Sequence, residues 1–255
     1  MSKFIIDMQA KQLTMLDARF YYAEGNFYPS VTTILEAYPK DAAYFKWIKE
    51  VGTDADVIRD EAGRRGSVVH ELTELYDNGA EVSLLNMDGN LQFKMTEWAM
   101  FERYVDFVTR FKPDYFMNEQ NFVSHALGFA GTIDRLAWLD GKLTLIDIKT
   151  SNNIHDSYWL QLAAYAALVH DMDECRQIDQ VAILHLNAKT RTLGTKGAVQ
   201  GIGWQLLKKD IEESYADYEL FKVTKQLWEA QNKDAKPRQV SYTLTHKKQT
   251  DGSVQ

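Results

Sequence analysis

Asp147 and Lys149 stand two residues apart in the run Leu143-Thr144-Leu145-Ile146-Asp147-Ile148-Lys149. On an extended strand that spacing sends both side chains to one face. Asp140-Gly141, a strong hairpin-turn signal, precedes the run. Counting back across the turn brings Asp134 opposite residue 147. Two carboxylates held side by side repel unless a cation lies between them. Lys149 alone could supply that cation. The set also describes a site for a hard divalent ion such as Mg²⁺ or Mn²⁺, which takes oxygen ligands, keeps several waters and bridges to phosphate. Lys149 would then orient or help deprotonate an attacking water, or offset negative charge on a pentavalent phosphate. An ordinary surface hairpin with a salt bridge would use the same residue types. The apolar setting of Ile133, Leu136, Leu143, Leu145, Ile146 and Ile148 sets this one apart, because charges at the end of a buried strand need a reason.

Other residues could join that cluster. In Gly66-Ser67-Val68-Val69-His70-Glu71-Leu72-Thr73-Glu74 the spacing puts His70 and Glu74 one helical turn apart, and Gly66 permits close approach of a ligand or another backbone. A lone helical histidine is also often structural. Glu119, on the strand before Asp134, is either a further carboxylate of the site or an exposed edge-strand acid. Arg64 and Arg65 either contact phosphate or are plain surface arginines. Gln161 and Tyr165 lie one turn apart and either face the site or pack the helix.

The elements that must position these residues follow from periodicity. Phe20-Tyr21-Tyr22 and Phe27-Tyr28 flank a turn at Glu24-Gly25-Asn26. Ser30 caps a short helix to about Ala37. A second helix starts near Asp41. A third starts near Asp54 and ends at Asn78-Gly79, with Gly63 and Gly66 as places where it could divide. A fourth runs from about Leu91 to Arg110 and closes at Pro113. Strands are expected over 115–124, 129–139 and 142–149, then a helix over 156–170 and a strand over 181–186. A loop punctuated by Gly194, Gly197, Gly201 and Gly203 and a long helix from Trp204 to Asn232 complete the body. The order predicts an α/β fold rather than a doubly wound array.

Four motifs in this order resemble the PD-(D/E)XK nuclease superfamily in its RecB-like exonuclease branch. They are Gly66-x-x-x-His70, Gly131-x-x-Asp134, Asp147-x-Lys149 and Gln161-x-x-x-Tyr165. Tyr28-Pro29-Ser30-Val31-Thr32-Thr33-Ile34-Leu35 is similar to the N-terminal motif of phage-type and mitochondrial genome-maintenance exonucleases. The resemblance covers roughly residues 27–187. It implies a restriction-endonuclease-like core, a central mixed β-sheet flanked by helices with a helical N-terminal layer. It implies that His70, Asp134 and Asp147 ligate Mg²⁺ (Mn²⁺ as substitute), joined by the Ile148 backbone carbonyl and with Glu119 as a further candidate. Lys149 would be the catalytic lysine. Gln161 and Tyr165 would position it or the DNA backbone, and Arg64, Arg65 and Thr150 are the candidates for touching substrate. Several RecB-like nucleases carry four cysteines for an iron–sulfur cluster. This chain has one, Cys175, so no iron–sulfur cluster is expected.

Composition bounds the remainder. The chain has 255 residues, 45% hydrophobic and 25% charged, with net charge −7. These values fit a globular protein and exclude a disordered or fibrous one. No apolar run approaches the roughly 18 residues a membrane span needs. One cysteine excludes an internal disulfide framework, and a reducing, cytoplasmic setting fits, in a bacterial or phage-infected cell. The expected organisation is one nuclease domain over 1–255: a mainly helical part to 112, the catalytic sheet core over 113–187, a loop and long helix over 188–232, and a basic tail over 233–255. Between Lys222 and Lys248, seven Lys or Arg face two acids, a local excess of +5. That stretch is either a solvated surface or an arm for a DNA backbone. The expected function is a DNA exonuclease acting at ends in recombination, repair or replication, with a single-strand-binding or annealing protein as a candidate partner. The alternatives are a structure-specific or flap endonuclease and an inactive DNA-binding scaffold. Oligomeric state is not legible.

Overall fold

A computed structural model describes residues 11–15, 18–173, 177–188, 191–193, 198–200, 203–233 and 236. The chain begins with a three-stranded antiparallel sheet of β1 (Lys11–Met15), β2 (Ala18–Ala23) and β3 (Asn26–Pro29). Ser30 Oγ then accepts the Thr33 N–H at 3.0 Å and caps α1 (Val31–Ile34), as the sequence predicts. In α2 (Ala42–Val51) the Asp41 carboxylate caps the N-terminus at 2.7 Å, and no residue of the helix is buried. The next helix, α3 (Ala55–Asp77), runs unbroken through Gly63 and Gly66. Two glycines cost a helix roughly 1 kcal/mol each. Burial of Val69, Leu72 and Thr73 at its C-terminal half ties the helix to the body. In α4 (Met95–Phe111) the Glu97 carboxylate accepts the Lys94 N–H at 2.8 Å, and the helix closes at Lys112 in a left-handed conformation, directly before Pro113.

The central sheet follows. Its members are β4 (Asp114–Ser124), β5 (Phe129–Leu139) and β6 (Lys142–Lys149), then α5 (Asp156–Met172) and β7 (Gln180–His185). After a small ribbon of β8 (Arg191–Leu193) and β9 (Ala198–Gln200) come β10 (Gln205–Asp210) and α6 (Ser214–Gln231). The strand order is β10-β7-β6-β5-β4, with β6 and β7 parallel and the other pairs antiparallel. Asp140 and Gly141 both take positive φ, 52° and 78°, the condition for the tight turn that sets the β5–β6 register.

The long helix expected from Trp204 to Asn232 divides. Gln205 to Asp210 is the edge strand β10, paired with β7 from Gln205 opposite His185 to Asp210 opposite Gln180. Gln, Leu and Lys are good helix formers, but the open edge of β7 captures the segment, and context outweighs propensity.

Both faces of the sheet are covered. Val31 and Ile34 of α1, Leu160 and Leu168 of α5 and Phe221 and Trp228 of α6 pack on one side with Ile133, Leu145 and Ile183. Val69 of α3 and Met100, Tyr104 and Phe107 of α4 pack on the other with Ile146, Ile148 and Leu184. Strand β6 is therefore buried from Leu143 to Ile148. This is the α/β class expected, a mixed five-strand sheet flanked by helices. Among the described residues no helix is long and apolar enough to cross a membrane.

Cys175, Gly194, Gly197 and Gly201 lie outside the described residues, as does the expected basic tail from Pro237 onward. Within α6, Lys222 pairs with Glu219 at 2.7 Å and Lys225 with Glu229 at 2.5 Å.

Candidate metal centre and active site

The site forms where β5 and β6 part. Their ladder runs from Leu139 opposite Lys142 to Arg135 opposite Ile146. One residue further, Asp134 Oδ2 accepts the Ile148 N–H at 2.7 Å. A side-chain oxygen thus satisfies a backbone donor that would otherwise be buried without a partner. Asp147 and Lys149 project toward α5, as their spacing predicts. Gln161 bridges them: its Oε1 accepts from Lys149 Nζ at 2.9 Å, and its Nε2 donates to Asp147 Oδ1 at 3.0 Å and to the Tyr165 hydroxyl at 3.0 Å. Lys149 Nζ also lies 2.8 Å from Asp147 Oδ2 and 4.5 Å from the centre of the Tyr158 ring. Although that close, Asp147 Oδ2 accepts no well-directed hydrogen bond and is buried.

Gly131 has a specific reason to be glycine. A Cβ there would overlap the Tyr165 ring, which lies across β5. Gly66 faces the end of β6, where a Cβ would come into ordinary van der Waals contact with Thr150 Oγ1 at 3.4 Å.

Helix α3 brings His70 to the centre. Its Nδ1 lies 3.1 Å from Glu119 Oε1 and 3.8 Å from Asp134 Oδ1, and its Nε2 lies 3.1 Å from the Ile148 carbonyl. Both ring nitrogens face acceptors, so the geometry fits an imidazolium. Burial alone disfavours that charge, but Asp134, Glu119 and Asp147 outweigh it and raise the pKa to about 9. Burial, with Asp147 and Glu119 as like charges, pushes Asp134 up to about 7 against the pull of His70 and Lys149. For Glu119, burial favours the neutral acid, yet His70 and Arg135 hold its pKa below the usual value. Burial opposes the Lys149 charge, but Asp147 and Asp134 raise its pKa and keep it an ammonium.

Ligand atoms of His70, Glu119 and Asp134 all lie within 4.8 Å of one another. The compact triad therefore contains Glu119, which the sequence left between a site carboxylate and an edge acid. Glu119 has φ 44° in the middle of β4, a left-handed conformation that strands rarely tolerate. Asp147, expected as a ligand, stands beside this group, tied to Lys149 through Oδ2 and to Gln161 through Oδ1. Glu74 is not part of the cluster. One imidazole with several carboxylate and carbonyl oxygens is a donor set suited to Mg²⁺ or Mn²⁺.

The candidates for touching substrate are placed unevenly. Arg64 is engaged by Glu61 at 2.9 Å and by Glu97. Arg65 Nη2 reaches the Thr150 carbonyl at 3.4 Å, while its Nε is buried with no hydrogen-bond partner. Thr150 is buried at the end of β6.

The family model for the PD-(D/E)XK nuclease superfamily matches residues 35–241, which contain every one of these side chains. The chain belongs to the PD-(D/E)XK nuclease superfamily. Its members use divalent metal ions. No curated protein matches this nuclease. Among solved structures it is similar to a candidate exonuclease from Eubacterium rectale, with 12% identity, 69% of each chain covered and a TM-score of 0.40. It is also similar to the alkaline exonuclease LHK-Exo from Laribacter hongkongensis, with 10% identity, 79% of this chain and 90% of that chain covered, and a TM-score of 0.33.

Sequence reasoning missed the groups behind the triad. Arg135, Asp77 and Thr73 form a buried network with Glu119. Its signal was an arginine between Asp134 and Leu136 inside an otherwise apolar strand.

Proposed function

We propose that this nuclease is a Mg²⁺-dependent DNA exonuclease of the RecB-like branch, cleaving phosphodiester bonds at DNA ends in recombination, repair or replication. The observation that carries this reading is the convergence of His70, Glu119, Asp134, Asp147 and Lys149 where β5 and β6 separate. His70, Asp134, Asp147 and the Ile148 carbonyl would hold the ion, with Glu119 closing the group. A divalent ion there supplies Lewis acidity, activating water near neutral pH and offsetting charge on the phosphate.

The protein's own groups do the rest. Lys149, held as an ammonium between Asp147 and Gln161, donates to phosphate oxygen as negative charge builds in the transition state. Gln161 fixes Lys149 and Asp147 relative to each other, so neither must reorganise during the reaction. Tyr165, seated on Gly131, buttresses Gln161. Arg65, whose Nη2 reaches the Thr150 carbonyl at the end of β6, is the group we assign to the substrate phosphate.

The test uses end-labelled single- and double-stranded linear DNA and covalently closed circles, each with Mg²⁺. Loss of linear DNA with circles intact is the expected result. Cutting of the circles would favour an endonuclease instead. Divalent-ion binding without any cleavage would favour a DNA-binding scaffold.

A further inference from the structure

Arg135 is not a group that phosphodiester chemistry requires, yet it lies at the hub of the site. It follows Asp134 on β5, so its side chain points to the opposite face, toward α3 and α4. The residue is fully buried, and its guanidinium carbon lies 5.9 Å and 6.0 Å from the ring centres of Tyr104 and Tyr115. Nε donates to Asp77 Oδ2 at 2.7 Å, and Nη2 donates to Thr73 Oγ1 at 3.0 Å. Nη1 donates to the Asp134 carbonyl at 2.7 Å and to Glu119 Oε1 at 3.2 Å. Thr73 in turn donates its hydroxyl to the His70 carbonyl at 2.8 Å.

One planar fork therefore touches every element that presents the triad. It reaches α3 through Thr73 and Asp77, β4 through Glu119, and β5 through the backbone of Asp134 itself. We infer that Arg135 is a positioning residue of the metal centre, fixing the Glu119 carboxylate and the turn of α3 that carries His70 relative to Asp134.

The competing account is a buried Arg135–Asp77 pair that only staples α3 to the sheet. Stapling does not require the Glu119 contact. That contact falls on the same oxygen that His70 Nδ1 approaches, and it restrains a residue whose left-handed backbone must be held from outside. Lysine in place of Arg135 keeps the charge but is a compact point donor without the fork, and it cannot serve Asp77, Thr73 and Glu119 together.

This inference rests on the reading of His70, Glu119 and Asp134 as a metal centre, and calorimetric titration with Mn²⁺ alone separates the two. Absence of Mn²⁺ binding to wild-type protein removes the metal centre itself. With wild-type binding established, Arg135→Lys should bind Mn²⁺ about tenfold to a hundredfold more weakly, the range for loss of a partner behind a metal ligand. Its kcat should fall with KM for DNA unchanged, while metal-free circular dichroism still shows a folded protein. Thr73→Val, which removes only the hydroxyl between Arg135 and the His70 carbonyl, should also weaken Mn²⁺ binding, by several-fold. Wild-type Mn²⁺ affinity in folded Arg135→Lys overturns the inference. If Arg135→Lys does not fold, wild-type Mn²⁺ affinity in Thr73→Val overturns it equally.

Discussion

Two charged networks grip α3, each centred on an arginine that meets two carboxylates. The outer one joins Arg64 to Glu61 and Glu97, and Lys94 to Glu61 at 2.6 Å. The inner one joins Arg135 to Asp77, Thr73 and Glu119. The side chains of Arg64 and Glu61 are 43% and 42% exposed, those of Arg135 and Asp77 1% each. Water screens the Arg64–Glu61 and Lys94–Glu61 pairs and lets them rearrange, so they contribute little to stability, while Glu97 alone of this group is buried. Inside, Arg135 and Asp77 have no water to replace a lost partner, and Nε, Nη1 and Nη2 of Arg135 are all engaged. An arginine paired with carboxylates thus becomes positional where water is excluded from the arginine itself, and His70 sits on the inner half of the helix.

The sharpest way to break this comparison is to remove one acid from the inner network. Asp77→Ala leaves the Arg135 charge buried against Glu119 alone, and urea unfolding should show a loss of about 3–5 kcal/mol. Equal losses from the inner and outer networks would end the distinction. Gly131→Ala comes next. Its new Cβ meets the Tyr165 ring, an overpacking that should cost about 1–3 kcal/mol and lower the cleavage rate by displacing Gln161.

The inner network also predicts a pH dependence for chelated protein. In the fold, Asp134 titrates at about 7 against an ordinary 3.8, and His70 at about 9 against 6.5. Both folded values are raised, so the folded form binds protons more tightly than the unfolded chain. The associated stability is fully present below the unfolded values and is lost as pH rises through 7 and then 9. Glu119, shifted downward, acts only in the more acidic range. A divalent ion competes with the same protons, so its stabilising effect should grow across this window. Melting curves with EDTA and with Mg²⁺ between pH 6 and 9.5 check this: the gap should widen with pH, and a constant or shrinking gap contradicts it. The smallest effect belongs to the exposed part of the outer network. Glu61→Ala should leave the melting temperature unchanged within error.

Much of the inner site was legible because a short turn fixes register. Asp140-Gly141 determines which residues of β5 and β6 meet, and strand alternation puts Asp147 with Lys149. Helical spacing likewise linked Gln161 to Tyr165. What stayed hidden depends on backbone geometry or on distant partners. The left-handed φ of Glu119 has no sequence signal, and the carboxylate of that residue meets His70 and Arg135. Arg135 was passed over because its neighbours read as a buried strand, and its acceptors are scattered from Thr73 to Asp134. Strand β10 was mistaken for helix because its residues favour helix locally, while its pairing partner β7 lies 20 residues earlier. The continuity of α3 across Gly63 and Gly66 is likewise a tertiary result.

Lys149 is proposed to act on the phosphate at a divalent-metal site, and the decisive experiment is single-turnover cleavage of end-labelled linear DNA by Lys149→Ala, with Mg²⁺ and alongside Mn²⁺ calorimetry. The expected variant is a folded protein that still binds Mn²⁺ and cleaves at least about 10²–10³-fold more slowly, the loss that follows removal of a transition-state donor. Cleavage by that variant at the wild-type rate would contradict it.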